Sequence, residues 1–353
     1  MSGAGYRTFQ SGEVLTSTNV QTYLMDQAVQ VYSGTAARSS AVPSPSTGMV
    51  AYSTATGLQV FNGSAWASVG GATYAAISGG SSTALGTAIG GETYNVHTFT
   101  SDANLVVTTA GLIDFLIFGG GGAGGTRTNV DAIGGGGGGG GYATGTIYLA
   151  AGTVVVDIGA GGTSATGGSL SSPLITSGFG SSLGTTAGAI TAAGGGRGGA
   201  AVSGGQIDAQ NGGCGGASNN GRSGIGLASI NGVTGFNGGT SAAYPVECAA
   251  GGGGAGAVGV NTTSGTTGGA GGAGVQVNTF AGGASLFKAG GGGGGGSTGG
   301  AGGSSVGGAG GSNAAGSSAA ANTAGGGGGG GNSGTVAGGA GGSGIVYVRV
   351  KTS

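Results

Sequence analysis

Few residues in this 353-residue chain could do covalent chemistry, and their spacing argues against it. His97 is the single histidine, so catalytic triads and histidine-based zinc sites lack their parts. It falls in an alternating stretch and reads as a packed or surface residue. Cys214 and Cys248 form no CxxC pair. Asp131, Asp157 and Asp208 stand alone, whereas calcium-binding G-G-x-G-x-D repeats need recurring aspartates. Asp114 and Asp157 alternate with apolar neighbours and read as solvent-facing, and no carboxylate pair for glycoside cleavage can be assigned. G-x-G-x-x-G matches many times over, which empties the match of meaning, and no lysine follows a run as a Walker loop requires. The expectation is a non-enzymatic protein without metal or cofactor.

Recognition chemistry is a different matter. A glycine run carries no side chains, so specificity must come from the residues that interrupt the runs. These are 127–131 (RTNVD), 206–211 (QIDAQN), 236–237 with 244–247, 279–280 and 286–288. Aromatic rings supply contact area at low entropic cost and stack on sugars or apolar surface. The candidate contact set is Phe236, Asn237, Tyr244, Phe280, Phe287 and Lys288. The alternative reading is that each aromatic plugs the end of a bundle or a seam between subunits.

Composition bounds the scaffold that must hold these residues. Glycine fills 101 positions, about four times its ordinary share. Charged residues make up 5%, with eight Lys/Arg against nine Asp/Glu, so no basic face for nucleic acid is expected. No apolar run reaches the roughly 20 residues of a membrane-spanning helix. Collagen would need glycine at every third position and abundant proline, and the chain has four prolines. About 15 glycines lie in residues 1–118 and about 85 in residues 119–342.

The elements follow from local pattern. Residues 18–31 carry Val20, Leu24, Ala28 and Val31 at helical spacing. Residues 39–48, with Pro43 and Pro45, must be extended or turned. Residues 49–52, 58–61 and 65–69 read as short strands with turns at Thr56-Gly57 and Asn62-Gly63. Tyr52, Phe61 and Trp66 could cover a core too small to stand alone, which makes oligomerisation the natural remedy. Residues 71–92 read as a linker. Strands are expected within 93–118, 142–158 and 344–350. LIDFLIF at 112–118 is nearly continuous apolar sequence, as a strand buried on both faces would be.

The fold class is therefore all-β. A small N-terminal attachment module (1–70) precedes a β-sandwich (93–353) that carries the glycine-rich body, 119–342. That body is expected to be a bundle of packed polyglycine-II helices. Such helices have three residues per turn, no internal hydrogen bonds and outward-pointing amide groups. Neighbours close enough to bond to one another would satisfy the backbone demand for partners. The runs at 134–141, near 251, at 290–296 and at 325–331 recur without a fixed period.

Two stretches resemble known families. EVLTSTNVQTYLMDQAVQVY (13–32), a small-residue turn and the FNGSAW hairpin (61–66) resemble the N-terminal module of tailed-bacteriophage fibre and minor tail proteins. HTFT, an apolar strand running into glycines, GTIYLAAGTVVVDIGAGG and a terminal SGIVYVRV resemble the glycine-rich domain of phage tail fibres and adhesins. Together they cover most of the chain. The resemblance implies a virion protein, commonly a homotrimer, anchored to other virion proteins through 1–70. Its glycine-rich end would point outward and bind a bacterial surface glycan or protein through its loops. The alternative is a head fibre or decoration protein on the capsid with a structural role. A third class, an antifreeze or cell-wall protein, would call for a secretion signal that residues 1–10 do not offer. A disulfide between Cys214 and Cys248 would close a long loop, while assembly in the host cytoplasm favours free thiols. On this reading, Phe236→Ala and Tyr244→Ala reduce particle adsorption without unfolding the protein, and unchanged adsorption would remove both from the contact surface.

Overall fold

The computed structural model describes residues 11–14, 16–20, 29–69, 74–128, 133–164, 175–185, 187–202, 205–218, 235–241, 247–263 and 265–352. The chain divides into two units, Met1–Ala72 and Thr73–Ser353.

In the first unit, α1 (Ser17–Val20) falls at the start of the expected helix, whose residues 21–28 lie outside the described set. Val31, the expected end of that helix, belongs instead to β1 (Gln30–Tyr32). β1 pairs in parallel with β2 (Val50–Ser53), and that ladder overrides the local helical spacing. A short helix, α2 (Thr35–Ala41), occupies the expected small-residue turn and the start of 39–48, and stops at Val42 ahead of Pro43. β3 (Gly57–Phe61) and β4 (Trp66–Ser68) complete a sheet of order β1-β2-β3-β4. The hairpin turns fall where Asn-Gly and Thr-Gly put them, with φ of +102° at Gly63 and +75° at Gly57. Phe61 and Trp66 meet with ring centroids 5.6 Å apart, but Tyr52 is exposed on the opposite face and belongs to no core with them.

The stretch expected as a linker belongs to the sheets of the second unit. Residues 71–92 contain β5 (Ala76–Ser78) and β6 (Ser82–Ile89), each at the edge of a five-stranded sheet. An edge strand held by its ladder needs little side-chain burial, and the largely exposed Ser/Thr/Ala sequence of β6 therefore carries no alternating signal. The remaining strands are β7 (Glu92–Phe99), β8 (Ala103–Thr109), β9 (Gly111–Phe118), β10 (Tyr142–Leu149), β11 (Gly152–Asp157), β12 (Ser181–Thr185) and β13 (Gly188–Ala192). The short pairs β14 (Ala200–Val202) with β15 (Gly205–Ile207), and β16 (Val275–Gln276) with β17 (Phe287–Lys288), form two-stranded ribbons. α3 (Asn278–Ala281) sits inside the second ribbon, and β18 (Ile345–Lys351) ends the chain.

The sheets run β10-β9-β18-β7-β6 and β13-β12-β11-β8-β5. Phe99, Ile113, Phe115, Ile117, Val346 and Val348 of the first pack with Leu105, Val107, Val156 and Leu183 of the second. The intervening residues Leu116, Phe118, Ile345 and Tyr347 face the other way, onto Cys214, Ala255, Ala289 and Ala324 of the glycine-rich body. Burial on both faces is why LIDFLIF lacks alternation. β18 lies between β9 and β7, antiparallel to both, with Val348 opposite Phe115 and His97. His97 is buried, its Nδ1 2.8 Å from the Gly79 carbonyl and 3.2 Å from Thr83 Oγ1.

The glycine-rich body is a lattice of extended segments bonded through their backbones. Along residues 134–141 the donors rotate through three neighbours with a period of three. Gly134, Gly137 and Gly140 donate to the carbonyls of Gly330, Gly327 and Ala324. Gly135, Gly138 and Gly141 donate to Gly199, Gly196 and Ala193, and Gly136 and Gly139 to Ala250 and Gly253. The carbonyls of the same run accept from three further segments: Gly119, Gly122 and Gly125; Cys214 and Ala217; Gly292 and Gly295. One chain segment thus has six neighbours. Residues 289–296 and 324–331 are bonded in the same manner, so the near-pure glycine runs occupy the lattice interior.

Around them the non-glycine residues come every third position: Thr298 and Ala301, Ala309 and Ser312, Thr267, Ala270 and Ala273. All are exposed except Ala270, which is half-buried, because every third side chain points out of the lattice. The period that the runs lack overall is present within these segments.

Close approach explains the glycine. A Cβ on Gly136, Gly137, Gly138 or Gly139 would lie 2.1, 2.3, 2.2 and 2.4 Å from the backbone oxygens of Gly292, Gly122, Cys214 and Ala289. The hydrogen in that place instead aims at a carbonyl, the arrangement of a Cα–H···O contact. Gly138→Ala should therefore lower stability by about 1–3 kcal/mol, the usual cost of overpacking. Ala309→Ser, on the outward face, should stay within about 0.5 kcal/mol. Denaturant unfolding midpoints measure both, and equal shifts would contradict the lattice.

Candidate functional site

Hydrogen-bond register sorts the lattice into two ends. Residues 119 and 141 adjoin β9 and β10, while 125 and 135 pair at the distal end. The distal turns carry a polar cluster. Arg127, buried beside its backbone pairing with Val336, donates from Nη1 to Asn332 Oδ1 at 2.5 Å. Asn332 Nδ2 donates to Glu247 Oε2 at 3.1 Å and to Ser297 Oγ at 3.4 Å. Nearby distal segments are tied by Ser241, whose backbone N–H donates to Ser218 Oγ at 2.8 Å. Glu247 and Thr298 are exposed there. The arrangement offers fixed donors and acceptors with one solvent-facing carboxylate, the chemistry of binding hydroxyls and amides. Among the described residues no three His, Cys, Asp or Glu side chains gather as metal ligands would.

The candidate contact residues are divided by the fold. Phe236 and Asn237 are exposed on a peripheral segment, with Phe236 accepting from Gly215 N–H and Asn237 from Gly259 N–H. Tyr244 lies outside the described residues. Phe280, Phe287 and Lys288 come together at the sheet end, in the β16–β17 ribbon. Lys288 is buried, its Nζ donating to the Asn322 carbonyl at 2.5 Å, and burial lowers its pKa. Its ammonium therefore serves the fold from inside. Asn332 and Ser297 went unmarked in the sequence, although each is the first residue to break a long glycine run.

Phe280 also has an internal role. The Arg349 guanidinium is held between the rings of Tyr94 and Phe280, 4.3 and 4.4 Å from their centroids. Its Nη1 donates to the Thr279 and Phe280 carbonyls at 3.1 and 3.0 Å, and its Nε to Asp114 Oδ2 at 3.0 Å. Asp114 also accepts from Thr146 Oγ1 at 2.6 Å, so it is a paired strand residue and not simply solvent-facing. This clamp pins α3 to the first sheet. Between them lies a cleft of about 310 Å³ lined by Phe118, Tyr142, Gln276, Phe280 and Arg349, among others.

Both cysteines are free and buried. They sit at different lattice levels: Cys214 bonds to Gly139 towards the sheets, while Cys248 bridges to Gly296 at the distal end. Burial pushes the Cys214 thiol from 9.0 to about 12 and the Tyr347 phenol from 10.0 to about 12. Raised folded-state values mean that the unfolded chain gives up these protons first. Stability should hold below pH 9 and fall as pH rises towards 12. Thermal midpoints against pH test this, and a flat alkaline profile would mean that neither group stays protonated in the folded protein.

A family model described as a glycine-rich domain matches residues 97–351. No curated protein matches the chain. The matched span starts within β7 at His97 and closes at Lys351, the last residue of β18. It takes in the whole lattice and most of both sheets, and on that span the chain belongs to the glycine-rich domain family.

Proposed function

We propose that this protein is a tailed-bacteriophage tail fibre or minor tail protein that binds the host surface without catalysing a reaction. On this reading the lattice is a bundle of polyglycine-II helices. Three-residue periodicity, six neighbours per run and purely inter-segment bonding are what that packing requires. One observation carries the recognition reading. The lattice holds itself together through its backbone, and its distal turns carry a polar cluster around Arg127, Glu247, Ser297 and Asn332. Side-chain chemistry fixed at the distal turns suits contact with a bacterial glycan or protein. The resemblance of residues 13–66 to phage attachment modules supports anchoring through the first unit.

The contact surface follows from exposure. Glu247 and Thr298 are exposed, whereas Lys288 and Phe280 serve internal contacts. Particles carrying Glu247→Ala with Thr298→Ala should adsorb about tenfold more weakly, the equivalent of one or two lost polar contacts. Their thermal stability should be unchanged. Adsorption equal to that of the parent would sink the distal site. Electron microscopy of labelled particles that placed the protein on the capsid would overturn the tail assignment.

A further inference from the structure

The outward face of the first sheet is covered unevenly. Register sets Tyr347, Leu116 and Thr144 in one row across β18, β9 and β10, and Ile345, Phe118 and Tyr142 in another. Paired residues share a face, and residues two apart on a strand share it too. Towards β18 the lattice closes over this face, and Ile345, Tyr347, Leu116 and Phe118 are buried. Towards β10 the face opens: Tyr142 is half-buried and Thr144 is exposed. The β16–β17 ribbon supplies the facing wall, and the gap between is the cleft of about 310 Å³.

Both walls are held in place. Tyr142 stacks on Phe118 with ring centroids 5.6 Å apart, and the Arg349 clamp fastens the ribbon to the sheet. The cleft is therefore shaped before a ligand arrives, which lowers the entropic cost of binding. Its volume stands at the small end of the roughly 300–1,000 Å³ of small-molecule sites, room for one ring and not for a chain. Leu116, Phe118 and Val277 give the lining apolar surface. Three other lining residues carry polar groups bonded to no described residue: the Tyr142 and Thr279 hydroxyls and Arg349 Nη2.

Charge and polarity select the ligand. Arg349 is the one charged residue of the lining among the described residues, and Asp114 Oδ2, 3.0 Å from its Nε, already balances it. An anion gains little from a guanidinium that is paired, and a cation is repelled by it. An acyl chain would cover the polar groups without pairing them. A sugar ring meets both demands, because its C–H face lies on aromatic and apolar surface while its hydroxyls take up the polar groups. We propose that this cleft is a binding site for one neutral pyranose unit, a hexose or an N-acetylhexosamine, held by Tyr142, Thr279 and Arg349 over Leu116 and Phe118. The site lies at the sheet end of the lattice, apart from the distal turns. It adds a second sugar contact to the host-contact reading and rests on that reading only for the source of the sugar.

The test is titration of the purified full chain with glucose, galactose and N-acetylglucosamine, followed by ligand-observed NMR. At least one should bind with a Kd of about 1 mM, as a few polar contacts allow. Tyr142→Phe should weaken that binding about three- to tenfold, the loss of one hydrogen bond. Tyr148→Phe removes the same hydroxyl from an exposed position on the same strand outside the cleft, and should change nothing. Thr144→Trp places a ring in the opening and should abolish binding with the unfolding midpoint kept. Should Thr144→Trp disturb the fold, the comparison of Tyr142→Phe with Tyr148→Phe decides. Glucuronic acid should bind no more tightly than glucose. No binding by any of the three neutral sugars, or binding that withstands both Tyr142→Phe and Thr144→Trp, would overturn the proposal. So would a preference of about tenfold for glucuronic acid, which would make Arg349 the centre of an anion site. Sugar binding with these losses, in a protein that microscopy places on the capsid, would keep the cleft and remove the host-contact reading.

Discussion

A buried backbone amide must find a partner, and a glycine run can offer nothing but amides. Here each interior run meets that demand by donating to three neighbours and accepting from three others. The requirement is mutual. The bonds form only if the segments approach closely, and the approach leaves no room for a Cβ, which would fall about 2 Å from a neighbouring carbonyl oxygen at Gly138 and its flanking positions. Glycine is thus selected by packing, at positions where its entropic cost on ordering is greatest. The lattice exists as a whole or not at all, since a lone extended segment has no internal bonds to hold it.

That dependence makes the sandwich necessary. β9 enters the lattice, β10 leaves it, and β18 returns after all of it to take the central place between β9 and β7. The last strand therefore ties the far end of the glycine-rich sequence to its beginning. Leu116, Phe118, Ile345 and Tyr347 give the lattice an apolar floor, and the Arg349 clamp fastens the β16–β17 ribbon to the same sheet. Side chains do in the sheets what the backbone does in the lattice.

The two units contrast in how their apolar residues are used. In the second, the strongest apolar strands are covered on both faces. In the first, the apolar face of the small sheet is open while arginine, glutamine and serine occupy the interior. In the lattice, Thr298, Ala309 and Ser312 face outwards, while Arg127, Ser297 and Asn332 meet at the distal turns.

The alternating and continuous apolar stretches in 93–118, 142–158 and 344–350 were enough to indicate an all-β sandwich around a glycine-rich insert. Asn62-Gly63 and Thr56-Gly57 were enough to locate the first unit's hairpins, because those dipeptides favour one local geometry. Cysteine pairing, the strands in 71–92 and the place of Val31 in a strand were not legible. Ladder partners and lattice levels decide them, and those partners lie far away in sequence. The same holds for the candidate contacts. Phe280 and Lys288 look like free recognition residues in a list of interruptions, yet Arg349 and the Asn322 carbonyl engage them. Asn332 looks like a break in a glycine run, yet it joins Arg127, Glu247 and Ser297. Composition by itself determined that the backbone must carry the packing, because almost nothing else is present. Only the tertiary structure decided which neighbour each amide takes, and with it which side chains are left facing outwards.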